Sequence, residues 1–280
     1  MFKCIHYILK ENVTNFYRTV SIAKYELLSE MRESNLGLFW NFASPAIQIF
    51  TYWFAFGLGI RQSRDVVTHH KVIPFMDWML AGLVVWFFLS PCITKGVSCI
   101  YDKRNVITKM KFPISILPAT IVLKELFNHF CMLMIIIVFF LVRGYHINVY
   151  WLQLIYYIFA AICFSISLAM ITSVLNMFTR DVKKLIVSFM RMLLYITPIL
   201  WTMDNMIKHL SPFWAKIVDY AMKANPIYYL VEGYRDCFFY HEGIFTHYAQ
   251  FAFFWVLVLS LFSIGSIFMY KFKHKFIDML

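Results

Sequence analysis

The chain is short of acid and of glycine: 15 Asp and Glu stand against 26 Lys and Arg, and only nine of 280 residues are glycine. No glycine-rich loop ending in Lys and Ser or Thr is present, which excludes a phosphate-cradling nucleotide site of that kind. Within the long apolar segments Glu125 is the only carboxylate. Asp77, Glu232 and Asp236 fall beyond them, widely separated or surrounded by apolar helix. Paired acids for acid–base catalysis are therefore missing, and one buried acid is a thin basis for proton or sodium coupling. The six cysteines form no framework: Cys92, Cys99, Cys131 and Cys163 sit in apolar segments, Cys4 and Cys237 lie outside them, and no metal-ligand spacing emerges. His69-His70 has no neighbours at ligand spacing and reads as a solvated loop pair. No charged start followed by an apolar run opens the chain, so no cleavable leader is expected.

What the chain has is apolar surface, with 61% hydrophobic residues and a mean hydropathy of +0.66. Six segments, Phe39–Ile60, Trp78–Tyr101, Ile116–Val142, Tyr150–Phe178, Val182–Trp201 and Tyr248–Tyr270, each reach the ~20 residues needed to cross a bilayer as helix. The expectation is an all-α, multi-pass membrane protein with six transmembrane helices. The largest remaining piece, Thr202–His247, is too small for a globular domain, so residues 1–280 form one membrane domain. Of the Lys and Arg, 15 fall on the side of the two termini and the second and fourth loops, against 8 on the other. Both termini are thereby placed in the cytoplasm. The net charge of +11 suits anionic head groups beside these loops rather than nucleic acid. Tryptophans near segment ends fit interfacial belts, with stacking on sugars as the second reading.

Three amphipathic stretches flank the spans. In 12–34, Val13, Phe16, Val20, Ala23, Leu27 and Met31 recur at helical spacing, which predicts a helix lying on the inner surface, either an anchor or a docking element. The loop 102–113 has room for a short amphipathic helix, with Pro113 and Pro118 shaping the start of the third span. In 203–246, Ser211-Pro212 and Asn225-Pro226 each combine an N-cap with a first-turn proline. Each is followed by an apolar stripe too short to cross. A hairpin dipping into the outer leaflet and one lying on the head groups both fit.

Charges inside spans are costly and need partners or a wet cavity. Glu125 has two candidate partners, Lys124 and Arg191; alternatively Arg191 faces a pathway for an anion.

Ala23-Lys24-Tyr25-Glu26-Leu27 and Leu36-Gly37-Leu38-Phe39-Trp40-Asn41-Phe42-Ala43-Ser44-Pro45, with Lys111-Phe112-Pro113, Thr179-Arg180-Asp181, Asn225-Pro226 and Glu232-Gly233-Tyr234-Arg235-Asp236, resemble in order the type-2 ABC exporter permeases for cell-surface polysaccharides. Lys109–Ser115, Tyr150–Tyr157 and Thr197-Pro198-Ile199-Leu200-Trp201 look most like the wall teichoic acid permeases of Gram-positive bacteria. The resemblance implies a plasma-membrane homodimer with two copies of an ABC ATPase subunit, exporting wall teichoic acid carried on undecaprenyl diphosphate; the alternative is export of another lipid-linked capsule or O-antigen-type polysaccharide, with a membrane scaffold or a lipid-sugar enzyme behind it. ATP and Mg would be bound by the ATPase, and this chain would hold no cofactor, metal or catalytic residue. Carried over to this sequence, Tyr25, Glu26, Arg32, Asp102, Asn105, Val106, Ile107, Lys109, Lys111 and Phe112 become ATPase-coupling candidates. Arg191, Lys124 and Tyr195 become pathway candidates for an anionic cargo. Asn225, Pro226, Glu232, Tyr234, Arg235 and Asp236 would form an outer gate.

Overall fold

A computed structural model describes residues 1–32, 37–60, 65–68, 71–107, 112–208 and 210–273. The chain is helical almost throughout: α1 Phe2–Thr14, α2 Phe16–Arg32, α3 Gly37–Tyr52, α4 Phe75–Gly96, α5 Cys99–Asp102, α6 Arg104–Ile107, α7 Leu117–Val142, α8 Gln153–Phe178, α9 Asp181–Ile196, α10 Met203–Ile207, α11 Pro212–Lys223, α12 Pro226–Arg235 and α13 Tyr248–Phe272. One small antiparallel hairpin, β1 Val66–Thr68 with β2 Lys71–Ile73, pairs Val66 with Ile73. Its β-branched runs are the sequence signal for it.

Four helical stretches, Phe75–Gly96, Ile114–Val142, Val149–Phe178 and Tyr248–Phe272, are long and apolar enough to cross a membrane. They correspond to the second, third, fourth and sixth segments. The first segment is α3, continued by a π-helical winding over Trp53–Ile60. The fifth stops early. Thr197 precedes Pro198, which disfavours helical backbone at Thr197, and its φ −71°, ψ 138° are extended. α9 is therefore 16 residues, and Thr197–Trp201 turns away instead of continuing the span. The second segment also ends short of Tyr101, at Gly96, and begins earlier, so that Asp77 lies in the first turn of α4 and is buried.

α4 is the centre of the packing. Most of it is enclosed, with α7, α8, α9 and α12 against it, whereas α7 and α13 keep most of their surface outward. The core is aromatic: Phe140 packs edge-on to Phe238 and Phe239, and Trp151 edge-on to Phe238. At the margin, α1 lies on α13 and α2 on α7. The single helix expected over 12–34 is instead two helices broken at Asn15, whose side-chain amide donates to the Glu11 carbonyl and so competes with the ladder bond that its own backbone N–H makes to the same oxygen. Residues 33–34 lie outside the described residues.

Candidate functional site

At the α2 end of the bundle, charged side chains from α2, α4, α5, α7 and α9 converge on a cavity of about 410 Å³. Lys124, in α7, is buried and bonds Glu30 of α2; its neighbour Glu125 is buried and takes Lys95 of α4 at 2.8 Å. Lys124 Nζ is also 4.0 Å from Glu125. The Asn128 amide donates to Glu125 at 3.2 Å, and Asn41 of α3 donates to Asn128 at 3.3 Å. Beside this chain, Lys103 pairs with Glu26, Ser98 donates to Asp102 at 2.7 Å, and Lys183 of α9 donates to Ser98 at 3.1 Å. Arg104 and Arg180 both stack on Tyr101 with 4.6 Å to the ring centroid. Cys99 also lines the cavity. Burial pushes its thiol up to about 12, so it stays protonated and a poor nucleophile.

Glu125 thus pairs with Lys95, and Arg191 takes no part. Lys95 was the partner the sequence did not reveal, because the pairing depends on the crossing of α4 and α7, 30 residues apart. Lys124 sits in this cluster rather than with Arg191 and Tyr195, which are exposed on α9. Of the coupling candidates, Tyr25, Arg32, Asp102, Asn105 and Val106 are exposed, Glu26 and Phe112 half-buried and Ile107 buried. The Glu26–Lys103 pair brings α2 and the 102–107 segment side by side. Lys109 and Lys111 lie outside the described residues, as do His69 and His70.

At the opposite end, α12 is wedged against α4 and α8 and clasps the turn that ends α9. Asn225 does two jobs: its Oδ1 caps α12 by accepting from Ile227 N at 2.9 Å, and its amide donates to Thr197 Oγ1 at 3.0 Å. Arg235 is fully enclosed. Its guanidinium donates to the Pro198 carbonyl at 2.8 Å, the Ile199 carbonyl at 3.2 Å and Glu232 at 2.7 Å, and lies 3.4 Å over the Trp78 ring. Trp78 in turn donates to Tyr240 at 2.8 Å. Tyr234 shares a hydrogen bond with His129 of α7 at 2.9 Å, and Asp236 is buried in the π-helical turn that follows α12. Gly233 is required by the close approach of α8: a Cβ there would stand 2.0 Å from the Tyr157 ring. α11, by contrast, buries nothing and leaves Phe213, Trp214, Ile217 and Tyr220 exposed.

The arrangement has one polar joint at each end, and among the described residues no group of His, Cys, Asp and Glu could hold a metal. Comparison with known proteins gives the class. Residues 17–239 match the model of the ABC-2 type transporter family, so the chain belongs to that family of membrane transport proteins. It is 26% identical over 263 residues to the O-antigen export system permease protein RfbA of Klebsiella pneumoniae, covering 93% of this chain and 94% of that one. Its likeness to the protein of the same name from Myxococcus xanthus is 25% over 228 residues, 80% of each chain.

Proposed function

We propose that this chain is the membrane subunit of an ATP-driven exporter that carries a lipid-linked polysaccharide of O-antigen type to the outer face of a bacterial plasma membrane. The observation that carries this reading is the likeness, over 93% of the chain, to O-antigen export permeases. Those relatives favour an O-antigen-type cargo over the wall teichoic acid suggested by Lys109–Ser115 and Thr197–Trp201. Teichoic acid stays as the second reading, because the exposed Arg191 on α9 suits a polyanion.

In this reading two copies of the chain pair and each binds one ABC ATPase subunit, which holds ATP and Mg. Both termini are cytoplasmic, α3 and α9 complete six spans, and α11–α12 form a hairpin entering the outer leaflet. The exposed side chains of α2 and the 102–107 segment, with Tyr25, Arg32, Asp102, Asn105 and Val106, receive the ATPase. Closure of the two ATPases moves these elements, α9 shifts, and its outer turn pulls on Asn225 and Arg235. Arg191 and Tyr195 then line the passage between the two α9 helices.

The test is depletion of the chain in its own bacterium. Surface polysaccharide should fall while lipid-linked polymer accumulates inside. Chemical analysis of that polymer separates sugar repeats from a phosphate-linked polyol. Unchanged surface polymer with no accumulation overturns the export reading.

A further inference from the structure

The α2-end cluster contains more pairing options than pairs. Lys124 bonds Glu30 and has Glu125 within 4.0 Å, while Glu125 bonds Lys95. The two α7 charges are the buried ones, at 6% and 4% exposure, and their partners on α2 and α4 are open to solvent at 40% and 46%. Water therefore receives Glu30 or Lys95 readily if either is released, whereas a buried charge left alone is costly. When α2 moves off α7, the carboxylate nearest to Lys124 is Glu125, and the two ammoniums of Lys124 and Lys95 then compete for its Oε1.

We infer that Lys124 and Glu125 form a partner-exchange switch, in which Lys124 trades Glu30 for Glu125 as α2 lifts and Lys95 is released toward the cavity. The switch has two discrete states because a buried ammonium needs a carboxylate in both. It makes Lys124 a positioning residue that links α2 to α4, and this role in transport rests on the exporter reading above. It differs from lining a pathway, since Lys124 touches α2 in one state and its own helix in the other. The half-buried Lys183–Ser98–Asp102 contact borders the same cavity, so the foot of α9 and Lys95 line one space.

Hydrogen–deuterium exchange of α2 in the purified chain tests the latch with no ATPase present. Glu30→Gln and Lys124→Met should each raise exchange across Phe16–Arg32, on the order of fivefold or more if the coupling is of usual size. The reversed pair, Glu30→Lys with Lys124→Glu, should restore protection. Glu30→Gln changes a partly exposed side chain and keeps the test alive if Lys124→Met fails to fold. In cells, Glu30→Gln should lower export while the complex still forms and hydrolyses ATP. Unchanged α2 exchange in Glu30→Gln, or a reversed pair no better than the single variants, overturns the switch. Normal latch behaviour in a chain whose depletion leaves surface polymer unchanged would instead overturn the exporter reading alone.

Discussion

Arg235 holds together three parts of the fold that are far apart in sequence. Its guanidinium serves two carbonyls of the 197–201 turn, Glu232 and the Trp78 ring, and lies against Gly82, where a Cβ would come within 2.8 Å of Nη2. Arg235→Met strands those carbonyls and Glu232, and should cost about 3–5 kcal/mol, seen as a large drop in the melting temperature of the purified chain. Lysine should not rescue it, because a point ammonium cannot reproduce the planar fork. Gly233→Ala drives a methyl into Tyr157 and should cost about 1–3 kcal/mol by overpacking, read by the same melt. Arg191 presents the opposite case: it is exposed, and it makes no ion pair among the described residues. Arg191→Met should leave melting and assembly unchanged while lowering export in cells; full export with a normal complex removes Arg191 from the pathway.

At the scale of elements, the half-buried N-cap of α12 joins that helix to the turn after α9. Asn225→Ala removes the cap and the tie to Thr197 together. It should cost about 1 kcal/mol for the cap alone, and hydrogen exchange should rise at the start of α12 and at the α9 turn but not in α4. The sequence made the long helices plain, because four of them rest on continuous apolar length. Asn225-Pro226 announced α12 equally well, since cap and first-turn proline are local chemistry. Less legible were the places where local and tertiary preferences compete. Asn15 splits the surface helix through its own side chain, and Pro198 stops α9 five residues before its apolar run does. The ion pairs were hidden for another reason: Lys95 and Glu125 are brought together by a helix crossing, which no local pattern encodes.

For the whole molecule, the strongest expectation is sidedness. With the six native cysteines replaced by serine and one cysteine placed at Lys3, an impermeant maleimide should label the chain only after the membrane is opened. Labelling in intact cells would reverse the orientation deduced from the lysine and arginine balance. The family relation reaches across most of the molecule, as it spans 17–239, from α2 through α4, α7 and α8 to the clasp, and leaves only α1 and α13 outside. The cargo proposed for it was the part least visible in the residues, because no compact motif marks what the chain would carry.

The enclosure of α4 sets a problem of timing. This helix has 78% of its apolar window covered by its own chain, yet α7, α8, α9 and α12 are all synthesised after it. A ribosome must therefore release α4 into lipid long before its neighbours exist, with Asp77 near one end and Lys95 at the other still waiting for Arg143 and Glu125. A nascent chain broken off before Pro226 never fills the socket at Trp78 and Gly82 with Arg235, and leaves one flank of α4 bare. A chain truncated before Pro226 should therefore be shorter-lived in cells than the full chain, as a pulse–chase would measure.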